Sequence, residues 1–558
     1  MDMDVIRNKF KKEDIISISL FIVCSLAFFL MAVYKITRPG VQYDEISFYN
    51  IALGAKTDHF VSKRIHGIPV MVMPYIGALK AYLYKLVFWL FGVTAISIRL
   101  PMILLSTVTL WFIYKLMNLL TKNLWVSNIT VALVSTSFCF IVSSKLDWGP
   151  TVIMFFFMSL ALLSFFLFMD THRLFYFYIM LIALLLGVYD KSNFIWFSSA
   201  FGVSALVIYR KKIVLFAREL KSRFTVPLAV FLFIMFFYII SSVLPLMRLE
   251  INSAGSVSFD FQRILFIYRE TSKTLTGRAY TEYLVNTFTN FNDFKNKIAL
   301  LSYFLSSLLF LLWFFPNFRK RFSSVLNCQI NSIAFMYLIS GVIFTEIIFT
   351  RQVGGAHHYI MLLPFTVYIT VLCGYIIIKI IQNTIIKNIF TVVFFAIVSI
   401  ILFLNFRADI WFLRYISNEN NEYNTIWDPA IYELSDYVIN SGVETVYSID
   451  WGLHNQLYSF DPERDNKNYM DMYAYFAEYH FITEFGHEWY FNTFFDKPVI
   501  LFVGHGSETT IFKDSLTGFE VFSHEGLNNG TFEKIHSIQN NQGKELYQVF
   551  KYNDYIKR

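Results

Sequence analysis

Charge is what this chain has least of. Lys, Arg, Asp and Glu make up 16% of its 558 residues, where soluble domains carry about 25%. With 56% hydrophobic residues and a mean hydropathy of +0.50, that scarcity excludes a soluble globular chain and implies an integral membrane protein. Cysteine is scarce too. Cys24, Cys139 and Cys373 lie in apolar runs, Cys328 in a basic loop, and none in the polar tail. The tail therefore has neither a disulfide framework nor a cysteine zinc site. There is no GxGxxG, no P-loop, no internal repeat and no low-complexity tract, and no nucleic-acid partner is expected.

What is present is apolar and aromatic. Phe (63) and Tyr (34) are abundant, which suits helices packed in lipid with aromatic belts at the interfaces. A span needs ~20 apolar residues. Candidate spans are 15–34, 96–119, 125–143, 150–169, 174–189, 194–209, 226–245, 298–315, 331–349, 359–379 and 388–406. The first follows Arg7, Lys9, Lys11 and Lys12 and has no small-residue cleavage pattern behind it, so it reads as a retained span. The stretch 68–92 is apolar but carries Lys80 and Lys85, with Pro69, Pro74 and Gly77 near its start. It reads as an interfacial or re-entrant helix on the outer side.

The fold class expected is thus an all-α polytopic membrane protein of about eleven transmembrane helices with a C-terminal α/β domain. Lys and Arg are biased toward cytoplasmic loops. With the N-terminus inside, Lys122, Arg173, Arg210 to Lys212 with Arg218, Lys221 and Arg223, then Arg319 to Arg321, and finally Lys379 and Lys387 all fall inside. Treating 68–92 as a full span would turn those clusters outward. The outer loops then hold Asp44 and Glu45, the run Lys145-Leu146-Asp147-Trp148, the pair Asp190-Lys191, Arg263, Arg269 and Arg278 in a long fourth loop, and His357-His358. One water-facing cavity on that side accounts for nearly every unusual polar group near the membrane.

Beyond about Arg407 the chain turns polar and mildly acidic. Asp428-Pro429 reads as a helix start and Gly442 as its end. Strand-like runs follow at 445–449, 499–503 and 545–550. Residues 1–406 are read as a transmembrane catalytic domain and 407–558 as an extracytoplasmic α/β domain.

The pivotal stretch is Val41-Gln42-Tyr43-Asp44-Glu45, directly after the first span. Carboxylates at the edge of hydrocarbon are costly. Asp44 and Asp147, at two span ends, suit a general base or a divalent metal ion. Lys145, Lys191 and the loop arginines suit a phosphate, and His357 and His358 suit metal or phosphate. The bland readings are an acidic solvated loop, an Asp190–Lys191 pair, interfacial histidines, an unremarkable Arg278 and a structural Glu346–Arg351 pair.

Several motifs, in order, resemble the GT-C glycosyltransferases that use a polyprenyl-phosphate sugar, a group that includes protein O-mannosyltransferases and lipid A aminoarabinose transferases. Asp44-Glu45 resembles their first-loop acidic motif, and His66-Gly67-Ile68-Pro69 their first-loop helices. Ser97-Ile98-Arg99-Leu100-Pro101 resembles the start of their second span. Asp147 resembles the acidic residue opening their second outer loop. Gly187-Val188-Tyr189-Asp190-Lys191 resembles their glycine-to-lysine segment, except that Asp190 replaces an uncharged residue. His358-Tyr359-Ile360-Met361-Leu362-Leu363-Pro364 resembles a late tyrosine-to-proline stretch. The likeness spans about residues 10–380.

The resemblance implies a GT-C bundle in the cell (inner or plasma) membrane that moves a sugar from a polyprenyl-phosphate carrier to a glycan, lipid or protein acceptor on the extracytoplasmic face. It implies Asp44, Glu45 and Asp147 as catalytic residues, with Asp44 as base, Glu45 orienting it and Asp147 binding acceptor or metal. Lys191, Arg278, His357 and His358 would hold the donor phosphate. A divalent metal on Asp44 and Asp147 is the candidate cofactor, and membrane lipids are further partners. Two other classes stay open. A lipid-linked sugar transporter or flippase would show inverted repeats or broken helices in matching positions. An envelope polysaccharide polymerase or ligase would lean on loop arginine and histidine and would not need Asp44.

Overall fold

The computed structural model describes residues 3–54, 63–73, 75–219, 221–238, 241, 260–285, 301–307, 324–350, 353, 355–423, 425–482, 486–487, 489, 493–494, 497, 499–510 and 512–553. The first span expected at 15–34 falls on α1 (Met3–Val33), which stops one residue short of the expected end, and Ile15, Ile22, Leu26 and Leu30 are exposed along one side. Such apolar exposure suits a helix facing lipid, where every backbone group is satisfied inside the helix. A short α2 (Tyr43–Ser47) follows. Next comes a three-stranded antiparallel sheet, β1 (Lys63–Ile65), β2 (Ile68–Met73) and β3 (Ile76–Gly77).

That sheet corrects the expectation of one interfacial helix over 68–92. Pro69 and Gly77 suit extended backbone and disfavour a helix interior, so helix α3 begins only at Leu79 and runs to Phe91. The bundle continues with α4 (Ala95–Thr121), α5 (Leu124–Ser135), α6 (Phe138–Leu146), α7 (Thr151–Thr171), α8 (Leu174–Asp190) and α9 (Phe194–Glu219). It goes on with α10 (Lys221–Tyr238), α11 (Phe261–Leu275), α12 (Arg278–Leu284), α13 (Ser324–Phe349), α14 (Ala356–Tyr359), α15 (Leu363–Ile380) and α16 (Thr384–Ser417).

Among the described residues six helices are long and apolar enough to cross a membrane, or seven if the bent pair α5 and α6 is one span. The run expected as one span over 125–143 is this pair, bent by 61° between Ser135 and Phe138. Helix α8 is apolar but shorter than the six. The expected spans 226–245 and 298–315 fall partly outside the described residues. The chain is a multi-pass, mostly helical membrane protein.

Helix α16 runs on past 406, because Ala408, Phe412 and Ile416 keep one face buried. The C-terminal part then forms a five-stranded sheet in the order β5-β4-β6-β8-β7. Its strands are β4 (Thr445–Ser448), β5 (Asn468–Asp471), β6 (Val499–His505), β7 (Phe532–Gln539) and β8 (Glu545–Asn553). β4 is parallel to β5 and β6, while β8 is antiparallel to β6 and β7. Helices α17 (Ala430–Asn440) and α18 (Leu453–Phe460) lie on one face. Their core, with Leu434, Leu457 and Val503, is continuous with that of the bundle. The other face packs Phe502 and Phe550 under Phe519 of α19 (Lys513–Asn529). The helix start at Asp428 is as expected: its carboxylate accepts from the amide of Ala430 at 2.9 Å.

Candidate functional site

The site begins with the cap of α2. Gln42 is the N-cap: its side chain accepts from the amide of Asp44 at 2.8 Å, and Glu45 reaches back to accept from the amide of Gln42 at 3.1 Å. This reciprocal pairing is a capping box. It fixes α2, and adjacent helical residues point about 100° apart. Glu45 therefore turns into the core while Asp44 stays half-buried at its edge.

Glu45 meets Arg99 in a two-pronged pair, Nε to Oε2 at 2.8 Å and Nη2 to Oε1 at 2.7 Å. The remaining guanidinium donors reach the carbonyls of Ile36, Pro39 and Gly40 at 2.7, 2.8 and 3.1 Å. All five donors of the guanidinium are thus engaged. A buried ion pair tolerates its desolvation only when it is satisfied in this way. Glu45, expected to orient the base, is held by Arg99 and by its capping bond to the amide of Gln42.

Asp44 accepts from Trp148 Nε1 at 3.1 Å. Burial pushes its carboxyl above the usual range, against the pull of the Trp148 hydrogen bond and the Lys191 charge. Lys191 follows α8, and its ammonium donates to the carbonyl of Gly149 at 2.8 Å. Burial lowers its pKa to about 8, although Asp44, Asp190 and Asp147 favour the cation. The backbone at this point is clamped by the first-loop sheet. Ile76 bridges Lys191, and the amide of Ser192 donates to the carbonyl of Tyr75 at 2.9 Å.

His357 completes the near side. Its ring lies 5.2 Å from that of Trp148 and 4.1 Å from that of His358. Gly149 has φ +68, and a Cβ there would sit 2.7 Å from the His357 ring. Glycine thus lets the loop carrying Trp148 close onto the histidine. The structure brings together Asp44, Trp148, Gly149, Lys191 and His357, which come from four separate stretches of chain.

Asp147 stands behind them. It adopts the left-handed conformation (φ +44) that ends α6, one that Asp accepts more readily than most residues. One oxygen accepts from the amide of Val152 at 2.8 Å. The other meets Lys80 Nζ at 2.6 Å, with both side chains buried. Lys80 is the residue that sequence reasoning passed over. The signal was its spacing: Lys80, Tyr84 and Phe88 share the buried face of α3, whereas Lys85 is exposed. Its ammonium also sits 4.6 Å from the ring centroid of Tyr49, a cation–π distance. Asp190 is buried in the field of Lys80 and Lys191, yet its carboxylate oxygens make no hydrogen bond to any described residue.

The other expected residues are less central. Arg278 pairs with Glu282 at 2.5 Å. Its helix α12 still borders the site, since the Tyr283 ring lies 4.5 Å from Trp148. The ring of His358 faces Trp196. Lys145 donates to the carbonyls of Tyr34 and Lys35 at 2.6 and 3.1 Å, tying α6 to the end of the first span. Glu346 meets the hydroxyl of Ser199, and Arg351 lies outside the described residues.

The donor set does not fit the expected divalent ion as arranged. Asp147 is held by Lys80 and a backbone amide, and no group of three or more His, Cys, Asp or Glu among the described residues is placed to share a metal. Oxygen-ligated divalent ions take about six or more ligands, so no step is routed through a metal.

Comparison with known proteins places these residues in context. The model of a family described as dolichyl-phosphate-mannose-protein mannosyltransferase matches residues 77–244. No curated protein matches the chain. Among solved structures, ArnT from Cupriavidus metallidurans, bound to undecaprenyl phosphate, is 10% identical with a TM-score of 0.49, over 97% of this chain and 98% of that one. An Archaeoglobus fulgidus oligosaccharyltransferase tethered to an acceptor peptide is 11% identical with a TM-score of 0.48, over 95% of this chain and 74% of that one. Lys80, Arg99, Asp147 and Lys191 all lie in the segment matched by the family model, and over that segment the match agrees with the resemblance to protein O-mannosyltransferases read from the motifs.

Proposed function

We propose that this protein transfers a sugar from a polyprenyl-phosphate carrier to an acceptor hydroxyl at the extracytoplasmic membrane surface. The observation that carries the reading is the placement of a half-buried carboxylate, Asp44, within the field of a buried lysine, Lys191, at the end of an apolar helix. The family match over 77–244 supports it, since that family's description names a lipid-phosphate sugar donor.

The chemistry needs two charges of opposite sign. The acceptor oxygen attacks the anomeric carbon, and Asp44 takes its proton. The bond between that carbon and the phosphate oxygen breaks, and its electron pair leaves with the lipid phosphate. Lys191, with His357 beside it, stabilises the charge that gathers there. Asp190 and the Lys80–Asp147 pair fix the lysine's surroundings. Arg278 and His358 take outlying positions toward the donor. Glu45, locked to Arg99, sets the attitude of α2.

The test uses the purified protein with a polyprenyl-phosphate hexose. Asp44→Asn is nearly isosteric and should lower turnover by ~10²–10⁴-fold, the usual worth of general base catalysis, without lowering the melting temperature. Glu45→Gln should instead lower the melting temperature, because Arg99 is left under-neutralised in the core. Wild-type turnover by Asp44→Asn would remove Asp44 from the mechanism.

A further inference from the structure

Asp44 has a second neighbourhood, away from Trp148 and Lys191. Tyr43 projects beside it toward the C-terminal sheet, where the Tyr43 and Trp451 ring centroids are 4.5 Å apart. Trp451 follows β4, at the carboxyl end of the parallel strands, where open α/β sheets place their ligands. Its ring continues to Phe512 at 6.1 Å, and Phe512 to Tyr473 at 4.9 Å. Trp451 is nevertheless 45% exposed, while Phe502 and Phe519 of the same sheet domain are sealed inside. Tyr75 and Tyr283, both exposed, also stand near Tyr43. Both lie close enough to help raise the pKa of the Tyr43 hydroxyl, after burial and Asp44.

A row of half-exposed rings therefore runs from the edge of the carboxylate out onto the C-terminal domain. The charges nearest Tyr283 are already paired, Lys273 with Glu270 at 2.9 Å and Arg278 with Glu282 at 2.5 Å. What the described surface offers is flat aromatic faces and phenol hydroxyls, and the positive charges nearest Tyr283 among the described residues are those already paired. Anionic headgroups select for arginine and lysine. The apolar C–H face of a sugar ring instead lies flat on an aromatic face while its hydroxyls find hydrogen bonds at the rim.

We infer that Tyr43, Trp451, Phe512 and Tyr473 form an acceptor subsite that takes a neutral saccharide, so that the acceptor is itself a glycan. This rests on the reading of Asp44 as the base: the subsite ends where the attacking hydroxyl must lie. Trp451 and Phe512 are specificity-determining residues that touch the acceptor at a distance from the reacting atoms.

The experiment uses the full chain in lipid nanodiscs with two probes. One is undecaprenyl phosphate. The other is a set of neutral oligosaccharides (mannan, glucan and N-acetylglucosamine oligomers), followed by saturation-transfer NMR. At least one oligosaccharide class should bind. Trp451→Ala and Phe512→Ala should each weaken that binding by about tenfold or more, with undecaprenyl phosphate binding unchanged, and Trp451→Tyr should recover part of the loss. Saccharide binding indifferent to both alanine variants would overturn the inference, as would no saccharide binding by a chain that binds undecaprenyl phosphate. Loss of undecaprenyl phosphate binding by the wild type would strike at the proposed function instead.

Discussion

At the scale of single residues, the two candidate charges respond to pH in opposite directions. Asp44 acts as a base only when ionised, and burial raises its pKa. Activity should therefore fall on acidification at a pH above the ordinary carboxylate range. In the proposed mechanism Lys191 works only as a cation, and its pKa is lowered to about 8. Activity should fall again as pH rises through that value. The profile of kcat/KM is thus a bell. Lys191→Arg should move the alkaline limb up by one unit or more, because a guanidinium stays charged to pH ~12. An unmoved alkaline limb in Lys191→Arg would assign it to another group. Lys191→Met should lose donor binding altogether.

At the scale of elements, the sheet β1–β3 does what a single interfacial helix could not. It carries the first loop over the end of α8 and clamps the backbone around Lys191. The contact is close: a Cβ on Gly77 would lie 2.1 Å from the carbonyl oxygen of Tyr189. That oxygen belongs to the backbone and cannot swing aside. Gly77→Ala should accordingly lower the melting temperature and weaken binding of undecaprenyl phosphate, with Asp44 untouched. An unchanged affinity would mean that the clamp does not position Lys191.

These elements also show what the sequence made legible. Asp44, Asp147 and Lys191 stood out as charged side chains at the ends of apolar runs, Arg99 only as part of the Ser97–Pro101 stretch, and the runs 445–449 and 499–503 as short apolar segments that became β4 and β6. Lys80 was hidden because a lysine in an apolar helix also fits a snorkelling side chain. Only its spacing with Tyr84 and Phe88 separates it from Lys85. The strands β5 and β7 were missed because their burial is irregular along the strand, which removes the alternation that announces a half-buried strand. The pairing of Glu45 with Arg99, 54 positions apart, has no local signature at all.

At the scale of the whole molecule, an orientation in the membrane is expected from two features that do not depend on the number of spans. First, the C-terminal domain and the first loop are on one side, because they are joined directly. The amide of Gly40 donates to the carbonyl of Trp427 at 2.7 Å, Gln456 donates to the carbonyl of Val41 at 2.7 Å, and Arg38 pairs with Glu419 at 2.9 Å. Second, the basic ends of α9 and α4 point away from that side. Helix α9 starts three residues after Lys191 and carries Arg210, Lys211 and Lys212 far along its 26 residues, more than 20 Å from its start at 1.5 Å per residue. Helix α4 starts near Arg99 and ends at Lys122, which faces Asp170 near the far end of α7 at 4.0 Å. Basic residues flanking spans stay in the cytoplasm, so the site and the C-terminal domain should face outward. Alkaline phosphatase fused after Arg558 should then be active, and a cytoplasmic reporter at the same point silent. The converse pair would turn the molecule over. Asp44 would then face the cytoplasm, and a donor presented on the outer leaflet could no longer reach it.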